Sequence, residues 1–405
     1  MRHESDEDAD AFDALPPASI LPVQTMLTDF ETINVLAPLV RCSKLPFRHL
    51  CSLYETHLTH TPMILAEEFS RSQSARVSDF STSRNERGVF WLEPRQRSGS
   101  SVKSISQPSS DSHPEDQDPT VSSKQTTGLS NRLPPTLRPP TRRSQLIRGA
   151  LVAQFASPNS MSLADSAELI SPYVDGLDVN CGCPQKWAYH EGIGCALLRK
   201  PELIRDMIRQ VKGRVGWDFP VSIKIRVDPD LKLTDQLVKT ALQVNVSHIT
   251  IHGRTRHQAS TEPVSLPGIR FAVEATKGEV PCVANGDLWD LNDAARMREE
   301  TGVRGVMGAR GLLANPALFA GYEKTPKHAV EQFVNLSIDY GFIFPLFHRH
   351  LSYMLESHFS RPEKTYFNSL PSSVSVVDHL ATRGLDFDAP RRIPMWDGRR
   401  GRAVP

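Results

Sequence analysis

The sequence predicts an α/β protein: a (β/α)8 TIM barrel with a small C-terminal helical domain. Three observations predict it. Short β-branched runs alternate with longer amphipathic stretches, the rhythm of a parallel sheet. Eight such runs fit within the length a barrel of this kind occupies. The turn after the first run, "VLAPLVRCSKLPF", lacks the Gly-rich motif that the competing topology, a doubly wound sheet, places there.

The chain has 405 residues and starts with an acidic head, 1–30, expected to be disordered. The eight runs follow in order: Ile33–Pro38 (INVLAP), Thr61–Leu65 (TPMIL), Ala150–Phe155 (ALVAQF), Gly176–Asn180 (GLDVN), Val221–Ile225 (VSIKI), His248–His252 (HITIH), Val280–Ala284 (VPCVA) and Gly305–Gly308 (GVMG). Each is short and rich in Val, Ile or Leu, as strands buried on both faces are. Helical patterns lie between most of them, at Pro201–Lys212, Asp235–Asn245 and Leu291–Thr301 among others. The barrel domain is placed at 31–322. An insertion at 88–148 interrupts it. The insertion's centre, rich in Ser, Pro, Thr and charge, cannot bury enough apolar surface to offset its ordering entropy. A helical domain is expected at 323–384, where "PKHAVEQFVNLSIDYG" and "FIFPLFHRHLSYMLESHF" read as amphipathic helices, and a basic flexible tail at 385–405.

Composition narrows the function classes. Lys and Arg number 47 against 46 Asp and Glu, so the net charge is +1. A general polyanion binder is not indicated, and any nucleic-acid site is a local patch. Six cysteines in this length do not make a disulfide scaffold. No secretory signal and no long apolar run is seen, so a soluble intracellular protein of the cytoplasm or nucleus is expected, with reduced thiols and no membrane contact.

Strand C-termini face the active site of a barrel. The polar groups there are Gln154 on the third run, and Asn180 with Cys181 and Cys183 at the fourth. Lys224 and Arg226 belong to the fifth, and His252 and Arg254 to the sixth. Asn285, Gly286 and Asp287 end the seventh, and Ala309, Arg310 and Gly311 the eighth. Small residues and an arginine after strands seven and eight suit a phosphate. Lys224 suits a ring that gains negative charge on reduction, as a flavin does, and Gln154 can both donate and accept at such a ring's edge. A phosphosugar barrel without a redox cofactor is the alternative at this stage. The stretch "DVNCGCPQKWAYHEGIGCALL" adds two cysteines two apart. Zinc needs about four ligands. The remaining cysteines, Cys42, Cys51, Cys195 and Cys282, are scattered, so no metal is expected. A disulfide across two residues would be strained.

The segments "VLAPLVRCSKLPFRHLC", "TPMILAEEFSRS", "LVAQFA", "DGLDVNCGCPQKWA", "EGIGCALL", "SIKIR", "IHGRT", "VANGD" and "VMGARGLLANPALF" occur in this order. In this the chain resembles the tRNA-dihydrouridine synthases, across Asn34–Gly321 without the insertion. It is most similar to the eukaryotic branch acting on D-loop uridines 20a and 20b. The resemblance implies an FMN-binding barrel that takes reducing equivalents from NADPH and acts on tRNA. It implies that Ala37, Pro38 and Leu39 line the flavin, that Gln154 and Lys224 contact its ring, and that His252 lies on the ribityl and phosphate side. Asn285, Gly286, Asp287, Ala309 and Arg310 would hold the phosphate, and Cys183 would be the proton donor. Asn180, Arg226 and Arg254 are candidates for substrate contact, and Arg254, Arg256, Arg349 and Arg361, on the rim and the helical domain, for RNA phosphates. A monomer is favoured.

Leu39 departs from a commoner methionine and Ala309 from a commoner glycine. The insertion departs most, and reads as a surface loop or a translated intron. Gly192-Ile193-Gly194 reads as a hinge for the Cys183 loop. Two rivals remain. One is a free-pyrimidine flavin barrel of the dihydroorotate dehydrogenase kind, which needs no helical domain. The other is a non-catalytic RNA-binding barrel, which needs none of Cys183, Lys224 and Arg310.

Overall fold

In strands buried on both faces, side chains alternate between the barrel interior and the helical layer outside. The computed structural model, which describes residues 17–96, 141 and 143–387, has eight strands of this kind. They are β1 (Ile33–Leu36), β2 (Leu58–His60), β3 (Ala150–Ala156), β4 (Gly176–Cys181), β5 (Val221–Arg226), β6 (Ile249–His252), β7 (Cys282–Asn285) and β8 (Gly305–Gly308). Each pairs in parallel with the next, and β8 returns to β1, so the sheet closes. The register sets Gln154, Asp178 and Ser222 side by side on one rung, and Asn180, Lys224 and Thr250 on the next.

The second strand lies earlier than the expected Thr61–Leu65. Pro62 has no N–H to give to the ladder. The chain therefore pairs at Leu58–His60, leaves at Pro62, and touches the end of β3 again only at Ile64–Leu65.

The helices outside the barrel have ordinary start and stop signals. Asn159, Asp230 and Asp290 accept from backbone N–H groups at the first turns of Ser160–Ile170, Leu231–Leu242 and Leu291–Thr301. Gly302, at φ 76°, ends the last of these. Helix Pro201–Val215 buries Ile204, Met207, Ile208 and Val211, one stripe at helical spacing.

Two segments expected to be disordered contribute to the barrel's base. Within the head, Val23–Asp29 is a helix. Its Val23, Met26 and Leu27, with Phe30 after it, sit at helical spacing and pack under Ile33, Val35, Val283 and Met307. At the edges of the insertion, Val89–Leu92 and Gln145–Arg148 pair as an antiparallel ribbon. Phe90, Leu92 and Ile147 join the same cluster, and on the ribbon's other face Leu146 is buried and Val89, Trp91 and Arg148 are half-buried. The expected disorder of 1–16, of 97–140 and of the tail from 388 lies outside the described residues.

Beside the barrel, against helices Leu45–Ser52 and Arg310–Ala314, stand helices Lys327–Asp339, Phe344–Met354, Arg361–Ser369 and Ser373–Thr382. His350 fixes them to the barrel layer: its ring lies 4.5 Å from Phe47 and 5.2 Å from Phe333. Burial lowers its pKa to about 3, so it packs as a neutral ring. Tyr340 adds a 2.9 Å hydrogen bond to His49. No helix among the described residues is long and apolar enough to cross a membrane.

Candidate active site

The polar strand ends converge on one mouth. Lys224 Nζ donates to Asn285 Oδ1 at 2.8 Å, linking β5 to β7, and Asn285 Nδ2 donates to the Met307 carbonyl on β8 at 2.9 Å. Gln154, 1 % exposed, donates to Asp178 at 2.8 Å and accepts from Asn180 at 2.7 Å. Burial lowers Lys224 to about 8, against the opposing charge of Asp178.

Cys183 sits on the loop leaving β4. Its N–H and that of Gly182 donate to Asn180 Oδ1 at 2.9 and 3.2 Å. Arg226 holds the same loop from β5, donating to the Gly182 carbonyl at 3.0 Å and the Thr255 carbonyl at 2.8 Å. All six cysteines are free, and five are buried; Cys183 is the exception. Cys181 ends β4 with no exposed surface, and burial raises its thiol well above the usual range. The Gly192-Ile193-Gly194 turn packs against the Cys183 loop. Both glycines have φ in the left-handed region, +74° and +62°, and Ile193 between them is buried. A Cβ on Gly194 would lie 2.6 Å from the Cys183 carbonyl oxygen.

On the other side of the mouth, Arg226, His252, Arg254, Asn285, Asp287 and Arg310 line a cleft, with Gly286 and Ala309 in its wall. Its field is strongly positive. Burial, then Lys224, Arg226, Arg254 and Arg310 push His252 down to about 2, so this imidazole is neutral. Asp287 is the carboxylate in the cleft, held by Arg254 and by Arg310 at 2.6 Å. A cleft with this excess of cations fits a phosphate group. Packing also requires the glycines here. A Cβ on Gly286 would meet Val264 at 2.8 Å, and one on Gly311 the Leu288 carbonyl at 2.2 Å.

Ala37, Pro38 and Leu39 form the turn leaving β1, tied to β8 by Ala37 N–H to the Gly308 carbonyl at 2.9 Å. Ser43 Oγ accepts from the Leu39 N–H at 2.9 Å. Arg254 is not on the rim. It is 2 % exposed, bound to Asp287 and the Glu262 carbonyl, and forms cleft wall. Arg256 is on the rim, its guanidinium 3.2 Å from the centroid of Tyr189. Arg349 and Arg361 are exposed on the helices beside the barrel.

Two groups that sequence reasoning passed over belong to the same network. Asp178 and Ser222 stand beside Gln154 and one rung below Lys224, Ser222 donating to Asp178 at 2.7 Å. Asp178 stands two residues before Asn180, so strand period two signals its inward face. Among the described residues, no group of three or more His, Cys, Asp or Glu could hold a metal ion.

The family model described as dihydrouridine synthase matches residues 35–94 and 133–370. The gap it leaves is narrower than the expected insertion and keeps the paired ribbon within the match. A Mus musculus protein described as tRNA-dihydrouridine(20a/20b) synthase, NAD(P)+-like, is 39% identical over 86% of this chain and 88% of its own length. The Homo sapiens counterpart of the same description is 37% identical over 86% and 90%. A Schizosaccharomyces pombe tRNA-dihydrouridine(20a/20b) synthase is 36% identical over 86% of each. With nearly all of the barrel, the mouth and three of the four C-terminal helices inside the match, this chain belongs to the dihydrouridine synthase family of oxidoreductases.

Proposed function

We propose that this protein reduces the C5–C6 bond of tRNA D-loop uridines 20a and 20b to 5,6-dihydrouridine, with FMN as bound cofactor and NADPH as reductant. One observation carries the reading: Cys183, the single cysteine of six that is not buried, stands anchored at the mouth of a dihydrouridine synthase barrel. The names of the relatives support the two positions and an NAD(P)+ coenzyme.

When bound here and reduced by NADPH, FMN would supply the hydride that saturates C6. Cys183 gives a proton to C5 and recovers one from solvent. Asn180 and Arg226 keep the Cys183 loop in place from two strands. Lys224 is a half-buried cation suited to the flavin ring, with Gln154 beside the same network. His252, Asn285, Gly286, Asp287, Ala309 and Arg310 would hold the phosphate side, and the turn Ala37–Leu39 the opposite edge. The target base, folded within tRNA, must turn out to reach this mouth. Half-buried Arg256 and exposed Arg349 and Arg361 would meet tRNA phosphates, the last two from the helical domain at 323–384.

The purified protein is expected to be yellow and to reduce tRNA uridine with NADPH, but not free uridine or orotate. Cys183→Ala is expected to keep its flavin and its NADPH oxidation, and to lose most uridine reduction. Full activity of that variant on tRNA refutes the assignment.

A further inference from the structure

Asp178 has no exposed surface and no part in the chemistry above. It nevertheless begins a line of hydrogen bonds that ends at the thiol loop. Its Oδ1 accepts from Ser222 Oγ at 2.7 Å and its Oδ2 from Gln154 Nε2 at 2.8 Å. Gln154 Oε1 accepts from Asn180 Nδ2 at 2.7 Å. Asn180 Oδ1 accepts from the N–H groups of Cys183 and Gly182.

The two ends of this line differ in kind. An ionised carboxylate only accepts, and a backbone N–H only donates. A carboxamide alone has no preferred sense. Between these ends, only one sense satisfies both amides. Were Gln154 reversed, oxygen would face oxygen at Asp178. Its amide nitrogen would face that of Asn180, and a reversed Asn180 would turn a donor onto two donors. Each mismatch would leave a buried polar group unpaired. Burial pushes the Asp178 carboxyl up to about 6, opposed by the bonds from Gln154 and Ser222 and by Lys224, so it is ionised above that pH.

We propose that Asp178 is a positioning residue, which locks the sense of the Gln154–Asn180 relay and so holds the Cys183 loop; this rests on Cys183 being the proton donor. Hydrogen–deuterium exchange at Gly182–Cys183 and iodoacetamide alkylation of Cys183 read the loop without any substrate. Asp178→Ala should speed the exchange by about tenfold and change the alkylation rate severalfold. Asp178→Asn, whose amide can face either way, should give an intermediate rise of about two- to threefold. Asp178→Ala should also lower uridine reduction roughly tenfold, yet cost nothing further in a Cys183→Ala background, because it acts through that thiol.

Unchanged exchange and alkylation in both variants overturn the proposal. So does an equal further loss of activity in the Cys183→Ala background. Should Asp178→Ala lose protection across Val221–Arg226 as well, the barrel itself has failed and Asp178→Asn decides alone: no rise in loop exchange overturns the proposal. If Cys183 is not the donor, Cys183→Ala keeps uridine reduction while the exchange effects stand, so the two failures separate.

Discussion

Gly194 supports Cys183 from behind, and its replacement by alanine perturbs the thiol without altering any reacting group. A Cβ there would lie 2.6 Å from the Cys183 carbonyl oxygen and 2.8 Å from the Cys183 Cβ. To reach an ordinary 3.4 Å, these contacts must open by about 0.6–0.8 Å. The backbone angle, φ +62°, adds roughly 1–2 kcal/mol for a residue with a side chain. The turn cannot retreat freely, because Ile193 is buried and the Cys195 N–H holds the Cys183 carbonyl at 2.9 Å. Much of the relief must therefore come from Cys183. A misplacement of about 1 Å costs on the order of 10²-fold in rate, so a smaller shift should cost roughly 30-fold. The assay is single-turnover reduction of tRNA uridine by pre-reduced enzyme, beside NADPH oxidation and flavin content. Only the uridine step should fall. A uridine rate within about twofold of the parent refutes the reasoning, and so does an equal fall in both half-reactions, which would make Gly194 a general structural residue.

Three further outcomes are expected. Lys224 has its pKa lowered to about 8, so its charge is present below that pH and lost above it. Flavin retention and reduction by NADPH should fall as pH rises through about 8, and Lys224→Arg should remove the inflection; an inflection that survives refutes the assignment. His350 is held neutral down to about pH 3, whereas the unfolded chain takes its proton near 6.5. Its stabilisation is whole above pH 6.5 and is lost as pH falls toward 3, at up to about 1.4 kcal/mol per pH unit. His350→Leu should flatten the pH dependence of the urea midpoint between pH 6 and 4 by about that slope, and an unchanged slope counts against it. Replacing 97–140 with a short Gly-Ser turn should keep the fold, flavin and tRNA activity, since Leu92 and Gln145 are already partners in the ribbon. Shortening the stretch between Leu92 and Gln145 from 52 residues to about 12 saves roughly 1 kcal/mol of loop-closure entropy. Loss of tRNA activity with flavin retained would give the segment a role in RNA binding.

The barrel was legible because strands buried on both faces leave continuous apolar runs, and seven of the eight fell within a residue or two of their observed bounds. The second was displaced because "TPMIL" looks like a strand while its proline cannot join a ladder. Helix Val23–Asp29 was hidden by the acidic residues before it, although Val23, Met26, Leu27 and Phe30 have the right spacing. The ribbon Val89–Leu92 and Gln145–Arg148 was hidden by the low-complexity sequence between its strands. In both places, composition averaged over a long window outweighed a short local pattern.

The site was legible as a list and not as a network. Strand topology tells which residues end at the mouth, so Cys183, Lys224, Asn285 and Arg310 could be named from sequence. What each residue does there depends on partners that sequence does not show. Gly286 and Gly311 looked like openings for a ligand, and their missing side chains also make room for Val264 and the Leu288 backbone. Arg254 looked like a rim contact and is instead tied to Asp287 inside the cleft. Asp178 drew no notice because it stands one rung below the mouth, where a carboxylate looks like a cost to stability. The rung explains the cost. A buried acceptor-only group is what gives two reversible amides a single sense, and the loop they hold carries the one thiol that is not buried. A leucine at 178 would pack the core more simply and leave the Gln154 amide N–H groups without their acceptor, so that only the far end of the line would still be fixed. Asp178 is therefore best understood as part of the foundation of the mouth, an orienting group whose burial costs stability.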